Sequence, residues 1–340
     1  MPLVFPVAEA PASGRLVEIA PQVFWLRMPL PFALDHINLW LLDDGDAWTI
    51  VDCGISDART RELWQLIFAE YLGGRPVQRV LSTHYHPDHA GLATWLTERF
   101  GVPLLMSQGE FLTAHALIVE GAGYDPARLG ELYRSNGLDA ERTEQLRLRS
   151  GQYRKGVPDF PLTYSRLFDG ANLRLAGEDW RVIMGYGHAP EHAALYCAKL
   201  GVLISGDMVL PKISTNIGVW SHDPDGDPLG QFLASLDRHA LLPDDTLVLP
   251  SHGLPFRGLR ERVGQLHEHH RDRLDAMHAA CSQVQTAADL MPVLFKRQLD
   301  IHQLFFAMGE SIAHLHTLMR QDRVVREVGA DGVRRYRAVA

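Results

Sequence analysis

Four side chains able to bind a metal ion lie within six consecutive residues of this 340-residue chain: His84, His86, Asp88 and His89. They follow the apolar run 80–83. Side chains alternate along extended chain, so two histidines two positions apart at a strand end point the same way and can hold one ion. Pro87 ends the strand, and the next two donors then face back from a helix predicted over 90–100, toward a second ion. The competing interpretation is a histidine-rich turn.

Three further candidates each follow an apolar, strand-like run and lie in a glycine-containing turn: His188 after 180–184, Asp207 after 201–206 and His252 after 246–251. In sheets covered by helices on both faces, ligand sites gather beyond the strand ends. The recurrence of strand, turn and ligand therefore predicts that these side chains reach one edge of a sheet. Only five of the seventeen histidines enter this constellation.

The complete set resembles the metal ligands of the metallo-β-lactamase-fold hydrolase superfamily, in the version in which an aspartate bridges the two metals. The resemblance implies a first metal site formed by His84, His86 and His188 and a second formed by Asp88, His89 and His252. It also implies that Asp207 bridges the two metals. Asp52, at the end of a strand predicted over 48–52, resembles an aspartate that orients the ligands without binding metal. A strand-end cap is the alternative reading of Asp52.

The ligand types suit two zinc ions, and would also accept iron or manganese, because no cysteine thiolate is present to favour a softer metal. Two ions about 3.5–4 Å apart can share a water and supply a bridging hydroxide at pH 7 while one ion polarises the substrate oxygen. Catalysis is assigned to Asp207 as the bridge and to Asp88 as the general acid, unless a metal-bound water serves instead. A thiol, with a pKa of about 8.5, leaves with little proton assistance. Thioesters, activated esters and lactones therefore rank above amides.

This sequence differs from several subfamilies at individual positions, and these differences reduce the number of functions to consider. Metallo-β-lactamases usually carry Cys or Ser where Asp207 stands and are exported, which disfavours antibiotic hydrolysis. Glyoxalase II shares the aspartate-bridged set but has a different C-terminal end. Flavodiiron oxidases carry Glu where His86 stands, and this excludes them. A persulfide dioxygenase with one iron stays an alternative, as does a metal-bearing binding module without turnover.

The composition agrees with a cytoplasmic enzyme. Lys plus Arg number 33 against 41 Asp plus Glu, a net charge of -8, which argues against nucleic acid as the principal partner. Three widely separated cysteines do not make a disulfide framework and suit a reducing compartment. The N-terminal residues do not form a signal-peptide pattern, and no apolar run approaches the roughly 20 residues of a membrane span.

Alternating strands and helices up to about residue 260 predict an α/β fold in which two sheets are sandwiched between helices, the αββα architecture that the resemblance also implies. The first strands are predicted at 23–28, 37–42, 48–52 and 77–81, and a helix at 57–71. An insertion at about 108–166 holds three helical segments, near 109–120, 126–136 and 140–154, and none of the ligands. We interpret it as a helical cap over the metal site, with a remote surface decoration as the alternative.

The catalytic domain is predicted to span 1–264 and a second, helical domain 265–340. Helical periodicity over 261–281, 286–296 and 302–321 precedes a hairpin formed by 323–328 and 333–339. This order resembles the small winged-helix domain at the C-terminus of one metallo-β-lactamase-fold subgroup, some of whose members are RNA endonucleases. His267, His269 and His270 are predicted on a solvated helix face, with metal binding as the alternative.

The balance of charges in the C-terminal hairpin indicates whether this hairpin could bind RNA. Six arginines between positions 320 and 337, among them Arg334, Arg335 and Arg337, face three acids, which is a modest surplus. Phosphate binding scales with the number of phosphates neutralised, so a structural lid or a homodimer surface is favoured over RNA binding. A small molecule is therefore the expected partner, and a membrane is not expected.

The loop 208–230 follows Asp207 directly. Asn216 and Trp220 are predicted to lean over the metals beside the inserted helices, with ordinary loop packing as the alternative. The sequence thus predicts a dinuclear zinc hydrolase, glyoxalase II-like in chemistry, acting on an ester or thioester. An RNA-processing endonuclease is the principal alternative.

Overall fold

The computed structural model of the protein describes residues 2–148 and 150–339. Within these residues the strands are β1 (Val17–Ala20), β2 (Val23–Pro29), β3 (His36–Asp43), β4 (Trp48–Val51), β5 (Val77–Leu81), β6 (Leu104–Met106), β7 (Tyr164–Arg166), β8 (Asn172–Leu175), β9 (Glu178–Gly185), β10 (His192–Cys197), β11 (Val202–Gly206), β12 (Leu247–Pro250), β13 (Val324–Val328) and β14 (Arg334–Ala338). The helices are α1 (Ala58–Glu70), α2 (Pro87–Ala90), α3 (Ala93–Phe100), α4 (Gln108–Ile118), α5 (Pro126–Ser135), α6 (Ala140–Arg147), α7 (Gln152–Gly156), α8 (Pro228–Ala240), α9 (Leu259–Ala280), α10 (Ala287–Leu294) and α11 (Ile301–Arg320).

Two sheets carry the fold. The first contains β1 to β7 in chain order, and the second has the order β12-β11-β10-β9-β8. The strands from β4 to β7 pair in parallel, as do β11 and β12, while the other neighbours pair antiparallel. This confirms the predicted α/β class with two sheets.

Side chains that alternate along the strands build two hydrophobic layers. Trp25 and Trp40 belong to one cluster with Trp180 and Ile204 of the second sheet, so this cluster fills the space between the sheets. The intervening Leu26 and its neighbours on β3 face the other way, into a cluster shared with α1, α3 and α4. Both faces of the central strands are therefore buried, as expected for a sheet covered on each side.

Helix α1 shows how local sequence sets an element. The Asp57 carboxylate accepts the Thr60 N–H at 2.6 Å, which caps the first turn. Leu63, Trp64 and Ile67 then recur at helical spacing and are buried. The helix ends one residue before the predicted Tyr71, which is its C-cap.

The chain divides into two compact units. The first comprises Met1–Ile118, Gln152–Thr215 and Leu236–Val263, and the second comprises Val119–Gly151, Asn216–Ser235 and Gly264–Ala340. Within the second unit, β13 and β14 form the predicted antiparallel hairpin after α9, α10 and α11. Asn136, next to α5, accepts a hydrogen bond from the buried Tyr336 hydroxyl of that hairpin at 2.8 Å. The middle of the predicted insertion therefore packs with the C-terminal segment, and its role as a cap over the metals stays a prediction.

Several predicted elements differ in detail. The helix expected over 90–100 is broken at Gly91–Leu92 into α2 and α3, and the segment 140–154 is divided into α6 and α7. The solvated-face interpretation is wrong for His270, which is 1% exposed and packs against Phe232 and His314. Within the described residues, no helix combines the length and apolar character needed to cross a membrane.

Candidate metal centre

The predicted donors all follow the carboxyl ends of strands. His84 follows β5, His188 follows β9, Asp207 directly follows β11 and His252 follows β12. In the second sheet β9, β11 and β12 run in the same direction, and β5 belongs to the first sheet, so four separate segments from both sheets deliver their side chains to one place. The strand-alternation argument for the first two histidines is wrong, because β5 ends at Leu81 and both lie in the loop beyond it. The conformation of this loop, and not the alternation of a strand, brings His84 and His86 together.

The structure brings the seven predicted donors together in two groups: His84, His86, His188 and Asp207; and Asp88, His89 and His252. In the first group, His84 Nε2 lies 2.9 Å from His86 Nδ1 and 3.3 Å from His188 Nε2. Zinc–nitrogen bonds of about 2.0 Å in a tetrahedron separate the nitrogens by about 3.3 Å. These spacings therefore fit imidazoles gathered around one ion.

Asp207 joins the two groups. Its Oδ2 lies 3.4 Å from His188 Nε2, and its Oδ1 lies 3.4 Å from His252 Nε2 and 3.6 Å from His89 Nε2. Asp88 Oδ2 faces the same two second-group nitrogens, at 3.5 Å from His252 and 3.7 Å from His89. One carboxylate thus presents an oxygen to each group.

Asp52 and Thr83 fix the rings of two donors. The Asp52 carboxylate accepts the His89 Nδ1–H at 2.9 Å and the Thr83 backbone N–H at 2.8 Å. It also accepts from the Thr83 hydroxyl at 3.0 Å, so this hydroxyl is free to accept the His84 Nδ1–H at 3.1 Å. Both rings therefore turn an Nε2 lone pair toward the donor cluster. Asp52 lies outside the two donor groups, and its role in orienting metal ligands stays a proposal.

The other two long-range histidines are held in the same manner. His252 Nδ1 donates to the His36 carbonyl at 2.8 Å, and His188 Nδ1 lies 2.8 Å from the Thr215 hydroxyl. The carbonyl places the proton of His252 on Nδ1 and leaves Nε2 as its donor atom, and the Thr215 hydroxyl fixes the orientation of the His188 ring. Sequence reasoning missed both partners, because threonines and backbone carbonyls carry no pattern that marks them as supports of a ligand.

Two buried atoms test whether the cluster fits a cation. His89 Nε2 and Asp207 Oδ1 have no hydrogen-bond partner, although both are buried. A buried polar atom without a partner costs about 1–3 kcal/mol. A bound cation would satisfy the nitrogen lone pair and the carboxylate oxygen together. The donor set therefore fits divalent metal, and its nitrogen and oxygen atoms suit zinc, iron or manganese.

The charges in the cluster separate into a neutral and an anionic part. Burial, reinforced by the neighbouring imidazoles, lowers the pKa of His84 and of His86 well below the usual value. Burial also acts on His89, but the carboxylates of Asp52, Asp88 and Asp207 outweigh it and raise the pKa of His89 well above normal. The second group therefore attracts positive charge, in the form of a proton or a metal ion.

His192 supports the backbone of Asp207. Its Nε2 accepts the Asp207 backbone N–H at 3.1 Å, and the ring is fully buried. Gly206 has φ +54°, and a Cβ there would lie 2.2 Å from His192 Nε2, so only glycine fits. This histidine begins β10, which sequence reasoning did not predict.

Asn216 and Trp220 belong to the second unit. Trp220 packs against Phe305 and Phe306 with ring centroids 5.0 and 6.4 Å apart. Burial raises the pKa of Glu310 to about 7, while the charge of Arg273 and a hydrogen bond from Asn216 act in the opposite direction. These contacts explain how both residues are held within their unit, and their contact with a substrate stays a proposal.

Comparisons with known proteins agree with this fold and site. The model of the metallo-beta-lactamase superfamily matches residues 33–252, and that of the metallo-beta-lactamase-like C-terminal domain matches residues 274–339. The crystal structure of a beta-lactamase domain protein from Burkholderia ambifaria is similar with a TM-score of 0.91 and 47% identity, over 99% of this chain and 98% of that one.

Two curated relatives are similar at lower identity. A probable metallo-hydrolase from Bacillus subtilis, YqjP, is 25% identical over 89% of this chain and 94% of its own length. A hydroxyacylglutathione hydrolase from Albidiferax ferrireducens is 26% identical over 68% of each chain. The chain belongs to the metallo-beta-lactamase superfamily, and its class is that of the metal-dependent hydrolases.

Proposed function

We propose that this protein is a dinuclear metal-dependent hydrolase that cleaves thioesters, with activated esters and lactones as weaker substrates. The observation that carries the proposal is the placement of Asp207, whose two oxygens face separate donor groups at 3.4 Å. Two divalent ions bound there would lower the pKa of a water between them and polarise the substrate carbonyl. His84, His86 and His188 would hold one ion, and Asp88, His89 and His252 the other.

The chain's own groups supply positioning and proton transfer. The Nδ1 contacts of His89 and His252 hold these rings, so their Nε2 atoms need no reorganisation on binding. Asp88 is the most exposed carboxylate of the cluster, with 18% of its side chain accessible against 10% for Asp207. It is therefore the residue placed to exchange a proton with the leaving group or with solvent.

The leaving group decides the preferred substrate. An amine must be protonated to leave, whereas a thiol with a pKa of about 8.5 departs as the anion near neutral pH. Of the two carboxylates in the donor cluster, Asp207 is assigned to the ions and only Asp88 is placed to act as an acid, which favours a leaving group that departs as the thiolate. The similarity to a hydroxyacylglutathione hydrolase supports the same substrate class.

A substrate panel tests the proposal. We expect the purified protein to hydrolyse S-acyl glutathione or acyl-CoA faster than lactones, and both far faster than nitrocefin. Chelation should abolish turnover, and zinc, manganese or ferrous iron should restore it. Elemental analysis before chelation should give close to two equivalents of transition metal. One tightly bound iron with oxygen-dependent turnover would replace the proposal by the dioxygenase alternative.

The C-terminal arginines bear on the alternative function in RNA processing. Arg334 lies 3.7 Å from Asp225, Arg335 lies 2.6 Å from Asp331, and Arg337 lies 3.6 Å from Glu327. Each guanidinium thus has a carboxylate partner within its own unit. Phosphate would have to compete with these pairs, which supports the assignment of a small-molecule substrate.

Neutralising the three arginines separates the two functions. In the R334A/R335A/R337A variant we expect kcat/KM for the thioester to stay within about twofold of wild type, because exposed ion pairs contribute little to stability. Affinity for single-stranded RNA, measured against salt concentration, should be weak in both proteins and equally so. RNA cleavage that needs these arginines and Asp207 would establish the endonuclease instead.

A further inference from the structure

Helix α4 begins with a fully buried glutamate that belongs to neither donor group. Glu110 lies in its first turn and has no exposed surface. Its two carboxylate oxygens bind different loops: Oε2 accepts the Tyr85 backbone N–H at 3.0 Å, and Oε1 accepts the Glu191 backbone N–H at 2.6 Å. One side chain therefore joins a segment that lies 25 residues before it in the sequence to a segment that lies 81 residues after it.

The two loops carry the nitrogen donors of the first group. Tyr85 lies between His84 and His86, and Glu191 follows His188 by three residues. A carboxylate that holds both peptide N–H groups thus limits how far the loop of His84 and His86 can move from the loop of His188. The 3.3 Å spacing of His84 Nε2 and His188 Nε2 depends on that distance.

The contact is reinforced from both sides. The Glu191 carboxylate accepts the Gly109 N–H at 2.7 Å, and Ser107 donates its hydroxyl to the Glu191 carbonyl at 2.7 Å. On the other loop, the Tyr153 hydroxyl donates to the Tyr85 carbonyl at 2.6 Å. Both residues whose N–H groups Glu110 binds are therefore held through their carbonyl oxygens as well.

Burying a carboxyl group is costly unless hydrogen bonds replace its hydration. Burial raises the pKa of Glu110 to about 8, while the two backbone N–H donors act against this shift. An apolar residue would fill the same space in the core without that cost. What a carboxyl group adds, and an apolar residue cannot, is a pair of hydrogen bonds that joins the two loops.

We propose that Glu110 is a positioning residue that holds the first donor group in its metal-binding arrangement before metal is bound. The inference rests on the proposed function, since it presupposes that this group binds an ion. Outer partners of metal ligands typically change metal affinity by 10- to 100-fold. Glu110 differs from such partners in acting on the backbone of two ligand loops rather than on a ligand ring.

The E110Q variant is the direct test, because glutamine keeps the shape and one acceptor oxygen but offers an NH2 group to the other peptide N–H. D44N is the matched control. The Asp44 side chain is 7% exposed, and it accepts the Ala176 N–H at 2.6 Å and the Thr49 hydroxyl at 2.6 Å. It also accepts the Gln78 side-chain amide at 2.7 Å and lies 3.5 Å from the Arg79 guanidinium, both on β5. It therefore joins several segments as Glu110 does, and none of the residues that it contacts is a donor or a neighbour of one.

The measurement is the pair of Zn²⁺ dissociation constants of each metal-free protein, by competition with a chromophoric chelator. We expect E110Q to weaken one constant by at least 10-fold and to leave the other within threefold of wild type, and D44N to leave both within threefold. Thermal unfolding of the metal-free proteins reports the loss of folding stability separately. Unchanged constants in E110Q, or an equal weakening of both, would overturn the proposal.

A second measurement needs no variant. In the metal-free wild type, the amide protons of Tyr85 and Glu191 should exchange with solvent as slowly as those of the central strands. Rapid exchange at either amide would overturn the inference, even if E110Q failed to fold. Failure of the proposed function would look different, because the wild type would then bind fewer than two zinc ions whatever the state of these amides.

Discussion

The D207A variant is expected to bind fewer than two equivalents of metal and to lose turnover altogether. The side chain removed is the one whose oxygens face His188 on one side and His252 with His89 on the other, at 3.4–3.6 Å. Its loss affects both donor groups, whereas the loss of an outer partner weakens metal binding by about 10- to 100-fold. We therefore expect D207A to lower kcat/KM more than any substitution of a residue that only supports a metal ligand.

Elemental analysis and thioester hydrolysis check this result, with near-ultraviolet circular dichroism as the test of folding. D207N provides the conservative comparison, because asparagine keeps one acceptor oxygen in the same position. We expect D207N to retain more metal than D207A and to remain severely impaired in turnover. Two equivalents of metal in D207A would show that this carboxylate does not bridge the groups.

The second large effect is expected for D52N. In the wild type, His89 Nδ1 carries a proton that it donates to the Asp52 carboxylate. Asparagine at position 52 can still accept the Thr83 N–H with its carbonyl oxygen, but its NH2 group, itself a donor, then faces His89 Nδ1. The ring is driven toward the tautomer with the proton on Nε2, the atom that would bind metal. We expect metal affinity at neutral pH to fall about 10- to 100-fold.

At position 52, the backbone conformation makes asparagine a better substitution than alanine for testing the role of the carboxylate. Asp52 has φ +65°, a conformation that asparagine and aspartate tolerate better than alanine does. Alanine would also leave buried donors without acceptors, at about 1–3 kcal/mol each. D57N, which changes the cap of α1 and no donor contact, is the control. Wild-type zinc affinity in D52N would refute the role proposed for Asp52.

The donor residues could be predicted because their chemistry is local. The spacing of His84, His86, Asp88 and His89 is a pattern within six residues, and each remaining donor follows an apolar strand and a glycine turn. The structure gathers all seven into two adjoining groups. The family resemblance was needed to divide them into two sites, since spacing alone does not say which strands become neighbours.

The supports of the donors could not be predicted, because they depend on how loops fold. Thr83, Thr215 and Glu110 are ordinary residue types, and only the conformation of the chain brings them to a ligand ring or a ligand loop. The burial of His270 has the same cause: helical periodicity places it beside charged neighbours, whereas Phe232 and His314 cover it in the folded chain. Predictions for polar residues fail where burial is decided by distant partners.

The distribution of the donors along the chain has a consequence for biosynthesis. His84 and His252 are 168 positions apart (252 minus 84), and His188 and Asp207 lie between them. A nascent chain exposes the cluster at 84–89 long before the strand that carries His252 is synthesised. The first donor group is complete only when β9 and β11 have come to lie beside the loop after β5, and the second only when β12 has. Contacts between segments so far apart in the sequence form slowly. On the proposed function, metal loading is therefore expected to follow folding, and the ions are then taken from the pool that surrounds the folded, metal-free protein.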